Sequence, residues 1–356
     1  MLALFEQYPL LKEKLPHISL GEFPTPIEKL ERLGQAIHAP KLFVKRDDIS
    51  GKLYGGNKIR ALEFLFGDAI RAGHKQVIAL GFPASCQALA QAIYARELGL
   101  QSTAFLFPQI RSKQAQQHLL AFQSINADVR PTIPMIFPFL LRHRLKYGHF
   151  PKLLEASSPM GMIGYVSAGF ELRNQIAQGL IPEPDIVYIS LATMGTTVGL
   201  MLGFKAAGLK SQIIGIEDDA RIMGRKVATP YKKARLFRET NELLHSNDPS
   251  FPIFEISENA FHTHTGYERP KDSLITFSGV QAMAQAKELE NLQLDEMFTA
   301  NAFSALLEDG NAGHFHDKTV LWWNTYNSRD LPSQITSVDY RKLHKSFHQY
   351  FESNPL

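Results

Sequence analysis

The chain has 356 residues, enough for a large buried core divided between two domains. Hydrophobic residues make up 44% and charged residues 21%, as in globular proteins, and a net charge of +3 is too small to point to nucleic acid by itself. A single cysteine, Cys86, excludes an internal disulfide and fits a reducing, cytoplasmic setting; no apolar run approaches the ~20 residues that span a bilayer, and Met1 to Leu11 lacks a signal-peptide cleavage pattern.

Residues 1–22 read as an arm of short helices, followed by rigid Pro24-Thr25-Pro26 and a helical pattern from Ile27 to Ile37. A strand, Leu42 to Lys45, runs through Lys45-Arg46-Asp47-Asp48 to the pair Gly55-Gly56. A helix follows from Ile59 to Arg71, with Ile59, Leu62, Phe66 and Ile70 on one face. Lys58 stands at that junction. Partly out of water, its amine would lose some preference for the charged form and become a usable nucleophile; a plain helix-starting surface lysine is the alternative. Strands at 76–80, 102–107 and 128–133 then alternate with helices at 87–98 and 113–124, which implies parallel strands with crossovers. Residues 137–149 form a basic helical segment. The Ser-, Pro- and Gly-rich stretch 157–164 reads as a loop and a domain boundary before a helix at 165–178.

Alternation resumes with a strand at 185–190, a helix at 198–207 and a strand at 212–216. Residues 221–245 read as a helix that begins basic, from Arg221 to Arg238, and the usual reading of such a run is a solvated face. Later come a helix near 279–292, a short strand at 294–298, a helix at 302–307, a buried strand at 319–323 and an amphipathic helix at 340–351.

Two loops carry chemical content besides Lys58. Leu191 to Thr197 connects a strand to a helix, so free N–H groups and the helix dipole favour an anion such as phosphate there, with Thr193, Thr196 and Thr197 as hydroxyl donors; self-capping threonines are the alternative. Gly81 to Gln87 sits at the carboxyl end of a strand, where open α/β sheets place ligands. Ser85 there is a nucleophile, a hydrogen-bond donor or an N-cap, and Gln87 offers both a donor and an acceptor. The pairs His262/His264 and His314/His316 have zinc-like spacing but sit among polar and glycine residues, as in hydrated loops, and no metal is expected.

In order, KRDD, GGNKIRALEF, a strand with Gly81 and Ser85, PMGMIGYVSAGFEL and the Thr/Gly loop resemble the family of pyridoxal-phosphate enzymes that contains 1-aminocyclopropane-1-carboxylate deaminase and D-cysteine desulfhydrase. The resemblance runs from about Pro24 to Trp323. It implies the tryptophan-synthase-β-like fold (fold type II) of α/β class: two three-layer α/β/α domains with mainly parallel twisted sheets, a large cofactor domain from 1–60 and 165–356 and a small domain at 61–164. It implies that Lys58 carries pyridoxal 5'-phosphate and that Thr193, Met194, Gly195, Thr196 and Thr197 cradle its phosphate. Asn57, Cys86, Thr299 and Thr325 would also border the cofactor. Ser85 and Tyr267 would be catalytic, and Ser85, Gln87, Tyr267 and Phe298 would meet a small amino-acid substrate. A homodimer is implied, with neither nucleic acid nor membrane as partner.

The chain departs from the family pattern at several places. Cys86 stands where an asparagine is usual, Ala61 where a lysine is, Met194 where a glycine is, and Phe298 where a tyrosine is. Asn324-Thr325-Tyr326-Asn327 replaces a His-Thr-Gly-Gly segment. Each lost hydrogen bond to a charged group would be worth roughly 1.5–3 kcal/mol. Thr299 matches the desulfhydrases, where the deaminases have a glutamate. The resemblance therefore leans toward desulfhydrase-like elimination giving a 2-oxo acid and ammonia. Cyclopropane ring opening, a pyridoxal-phosphate enzyme with a remodelled pocket, and a catalytically weak relative that binds an anion are the alternatives.

Overall fold

A computed structural model describes residues 1–352 apart from 219–220, 223–224, 268–272, 332–334 and 336. The chain opens with α1 (Ala3–Gln7) and α2 (Pro9–Lys14), then the antiparallel strands β1 (Ile27–Lys29) and β2 (Leu42–Lys45) with α3 (Glu31–Ala36) between them. Next come α4 (Lys58–Arg71), β3 (Gln76–Gly81), α5 (Cys86–Glu97), β4 (Gln101–Leu106), α6 (Lys113–Ser124), β5 (Asp128–Pro131), α7 (Thr132–Tyr147), β6 (Lys152–Leu153) and α8 (Pro159–Ala177). The rest of the chain contributes β7 (Ile186–Leu191), α9 (Gly195–Ala207), β8 (Gln212–Glu217), the antiparallel pair β9 (Arg221–Ile222) and β10 (Arg225–Lys226), α10 (Pro230–Asn247), β11 (His262–His264), α11 (Phe277–Glu290), α12 (Thr299–Asn311) and β12 (Val320–Trp323).

Two main sheets result. The larger has the order β1-β2-β12-β7-β8-β11 and is parallel except for β1; the smaller, β5-β4-β3-β6, is parallel throughout. Successive strand residues point to opposite faces, so the larger sheet feeds two cores. Val44, Tyr188 and Trp322 pack with Leu33, Ala282 and Phe303 from α3, α11 and α12. Val187, Ile189 and Trp323 pack with Leu172, Leu200 and Phe204 from α8 and α9 on the other side. The layers are therefore helix, sheet, helix.

α4 is held in place by α8. A Cβ at Gly164 would lie 2.0 Å from the Arg60 carbonyl oxygen, so only glycine lets the two backbones meet there. Beside that contact lies a sealed charge cluster. Arg60 donates to Asp47 at 2.7 and 2.9 Å and to Glu171 at 2.9 and 3.0 Å. Lys45 donates to Glu171 at 2.5 Å, to Gln175 at 2.7 Å and to the Thr25 carbonyl at 2.6 Å, while Trp323 Nε1 donates to Asp47 at 2.8 Å. Two cations thus face two carboxylates. Burial alone would push the Glu171 carboxyl up, but Arg60 and Lys45 outweigh it and hold it at about 2.

Five expected elements differ from the structure. Ile27 to Lys29 is an edge strand rather than helix, because Ile27 finds Lys45 as an antiparallel partner. The stretch 157–164 is mostly helix: Ser158 caps α8 through the Gly161 N–H at 3.3 Å, and the glycines that suggested a loop are close-packing contacts. Part of 221–245 is the antiparallel strand pair β9 and β10, and α10 starts only at Pro230 after the Thr229 cap. Residues 294–298 form no strand; the Asp295 carboxylate accepts the N–H groups of Met297, Phe298 and Thr299 and so opens α12. The C-terminal segment forms two 3-10 turns, Tyr340–Lys342 and Lys345–Tyr350, which seat Leu343, Phe347 and Tyr350 on the core of the smaller sheet.

Candidate active site

A cavity of about 460 Å³ lies where the carboxyl ends of β3, β4, β7 and β12 face the amino ends of α4, α5 and α9. Strand carboxyl ends and helix amino ends both supply groups that can hold an anionic ligand.

Lys58 enters it from the first turn of α4. The preceding turn is tightly specified: Gly55 N–H donates to Asn327 at 2.6 Å, Gly56 N–H to the Asp47 carbonyl at 2.9 Å, and Asn57 N–H to the Thr325 carbonyl at 3.2 Å. Gly56 has φ of 92°, the left-handed region that favours glycine. Among the described residues no carboxylate pairs with the Lys58 amine, and desolvation lowers its pKa to about 8. About a tenth of it is then a neutral nucleophile at pH 7, against well under a hundredth for an ordinary lysine.

The amino end of α9 faces the same space. Met194 takes a left-handed φ of 63° as the N-cap residue, and Gly195 N–H and Val198 N–H bond to the carbonyls of Thr193 and Met194. Among the described residues, the N–H groups of Thr196 and Thr197 have no backbone acceptor. Asn57 Nδ2 donates to Thr196 Oγ1 at 2.7 Å, which ties this end to α4. The Thr197 hydroxyl is buried without a partner among the described residues. A Cβ at Gly195 would lie 2.9 Å from the Ala156 carbonyl oxygen and from Ser157 Oγ, so the α9 terminus sits directly on the strand-to-α8 turn. Ser157 also donates to the Thr193 carbonyl. An unpartnered hydroxyl, two free N–H groups and the helix dipole make an anion cradle.

Across the cavity, Ser85 caps α5 by accepting the Ala88 N–H at 3.2 Å. Gln87 is tethered to the Leu154 carbonyl at 3.0 Å. Burial and the nearby Asp295 charge push the Cys86 thiol up to about 12, so it is a neutral, weak donor. Thr325 Oγ1 lies 3.1 Å from Ser190 Oγ, and the Phe298 ring is part of the wall.

The structure thus brings Lys58, Asn57, Ser85, Cys86, Gln87, Thr193, Met194, Thr196, Thr197, Phe298 and Thr325 to one cavity. Gly195 supports it from the helix end without lining it. Two expected residues stand apart. Tyr267 donates to Glu308 at 2.8 Å and stacks on His264 outside the cavity, because strand β11 carries that segment to the far edge of the larger sheet. Thr299 is buried with its hydroxyl donating to Asp295 at 2.5 Å, so it secures the start of α12 instead of bordering the cavity.

Sequence reasoning missed Ser190, Asp295 and Tyr326, all of which line the cavity. Ser190 ends a strand beside the Thr/Gly loop, and that position was a usable signal. Tyr326 was visible only as a departure from a motif; burial and nearby acidic groups raise its pKa, so it keeps its hydroxyl proton. Nothing near Asp295 in sequence marks it, since its partners arrive from three residues of a turn that looked like a strand.

A family model described as pyridoxal-phosphate dependent enzyme matches residues 18–325. The chain is 28% identical over 322 residues to D-cysteine desulfhydrase of Yersinia pestis, covering 86% of this chain and 93% of the relative. It is also 28% identical over 329 residues to nocardicin C-9' epimerase of Nocardia uniformis, covering 89% and 94%. A crystal structure of an ACC deaminase homologue superposes with a TM-score of 0.73 at 25% identity, covering 89% of this chain and 93% of the other.

Proposed function

We propose that this chain, which belongs to the pyridoxal-phosphate-dependent enzyme family and has its fold type II architecture, is a lyase or deaminase acting on a small amino acid by desulfhydrase-like elimination. The observation that carries this reading is the convergence of the Lys58 amine and the α9 cradle, with its unpartnered Thr197 hydroxyl, on one cavity. These residues fit pyridoxal phosphate. The N–H groups of Thr196 and Thr197 and the Thr197 hydroxyl would hold its phosphate, and Lys58 would attach to its aldehyde carbon. Ser190 and Thr325 would border the ring. When bound, the cofactor supplies an electron sink for the pair left at the substrate Cα.

The chain's own groups do the rest. The Lys58 amine would serve as the base that takes the Cα proton and could return it. The Cys86 and Gln87 N–H groups, at the open amino end of α5, are suited to the substrate carboxylate. Ser85 lies beside them and can hold a proton near the departing group at Cβ. Loss of that group and hydrolysis leave a 2-oxo acid and ammonia. Phe298 brings no hydroxyl to the wall, which favours elimination over cyclopropane ring opening. The D-cysteine desulfhydrase relative is consistent with this choice.

The test is the absorbance spectrum of protein mixed with pyridoxal phosphate and desalted, beside Lys58→Ala, followed by ammonia release from D-cysteine, β-chloro-D-alanine and 1-aminocyclopropane-1-carboxylate. A lysine-dependent visible band with release from D-cysteine is expected. A band without release from any of the three removes the elimination reading. No band assigns the chain to anion binding without this chemistry.

A further inference from the structure

α7 stands almost unpartnered on the smaller sheet. Its inner side is Phe139, set edge-on to Phe105 at 5.2 Å, and His143, which is buried and bonded to the His149 carbonyl at 2.8 Å. Its outer side is apolar: Phe137 is 77% exposed, Leu141 59% and Leu145 79%. At ~100° per residue, positions four apart drift by only ~40°, so these three form a continuous outward stripe. On the same geometry Arg144 flanks the stripe on one side and Arg142 on the other, with Lys146 farther round toward the sheet. Among the described residues none of these cations has a carboxylate partner; Arg144 lies over the Phe150 ring at 5.1 Å and Lys146 over the Tyr147 ring at 4.8 Å. Residues 129–154 contain no aspartate or glutamate, while the flanking cations Arg130 and Lys152 are already paired, with Asp128 at 2.8 Å and Asp68 at 2.6 Å.

We propose that this face of α7 docks on a bilayer surface bearing anionic lipid headgroups. Phe137, Leu141 and Leu145 would enter the headgroup–acyl boundary, and Arg142 and Arg144 on its flanks would meet lipid phosphates, with Lys146 adding to the local positive field. An exposed apolar stripe calls for a cover. Charge decides between the covers: two copies packed through α7 would bring the four flanking arginines to one seam, whereas an anionic leaflet matches both edges of the stripe. The sequence expectation of no membrane partner rested on the missing spanning segment, and attachment to a surface needs none.

The experiment is cosedimentation of the full chain with vesicles of phosphatidylcholine alone and of phosphatidylcholine with phosphatidylglycerol. Binding to the second alone is expected, and it weakens as salt rises. The triple variant Arg142→Glu, Arg144→Glu, Lys146→Glu should bind roughly a hundredfold more weakly. The triple variant Phe137→Ser, Leu141→Ser, Leu145→Ser should lose binding with an unchanged melting temperature. No binding of the wild type, or equal binding by either variant, overturns the proposal. So does a wild-type dimer in ultracentrifugation that the serine variant dissociates, which assigns the face to a second copy.

Discussion

Two residues apart on α4, Arg60 and Lys58 face opposite kinds of interior. Around Arg60 each carboxylate accepts several hydrogen bonds, the charges balance, and Thr25, Gln175 and Trp323 complete the set. Around Lys58 the amine has no carboxylate partner among the described residues, and across the cavity the Thr197 hydroxyl and two N–H groups are unmatched. A buried network with every group satisfied has nothing left to offer a ligand, so it fixes position. A region with unmatched donors has a standing cost that a ligand can relieve. The first region holds α4 against α8 so that the second is presented at a set place.

The contrast is testable from both sides. Lys58→Ala should lower elimination by roughly 10²–10⁴-fold and leave the urea midpoint nearly unchanged, since it removes a group that the fold does not use. Arg60→Met should do the reverse in kind: it strands Asp47 and Glu171, and urea titration should show a loss of about 3–5 kcal/mol. Acid sharpens the same point. The folded Glu171 carboxyl sits at about 2, below the ordinary value of ~4.3, so its contribution is present above pH ~4.3 and fades as pH falls toward 2. Denaturation followed across that window should show about 2–3 kcal/mol of stability lost, and Glu171→Gln should flatten the profile.

Thr197→Val tests the cradle more gently. Its hydroxyl has no partner to lose, so stability should move by less than about 0.5 kcal/mol. Equilibrium dialysis should show pyridoxal phosphate held less tightly by about 1.5–3 kcal/mol. Tyr267→Phe should have the smallest effect, with turnover within about twofold, because its hydroxyl bonds to Glu308 away from the cavity. A large loss there would mean that the site extends toward the β11 edge.

Lys58, Ser85 and the Thr193–Thr197 loop were legible because each lies in a short contiguous motif where a strand meets a helix, and chain direction alone places such a junction at a sheet's ligand-binding edge. Tyr267 and Thr299 lie outside this cavity for the opposite reason. A residue type at a matching position says nothing about which neighbour its hydroxyl will find, and Glu308 and Asp295 were nearer. The stretch 157–164 misled because glycine serves loops and close helix contacts equally well, and only the Arg60 carbonyl distinguishes the two.

By itself the sequence determined the alternating α/β architecture, the lysine at the opening of α4 and the anion-favouring end of α9, all consequences of local period and local turn chemistry. The tertiary structure alone decided the partners. Strand β12 lies between β2 and β7, which sets Thr325 beside Asn57 and Ser190 and brings Trp323 to Asp47. α8 delivers Glu171 to Arg60 and Lys45. Pairings across such separations depend on strand order and helix packing, which emerge only when the whole chain buries its apolar faces at once.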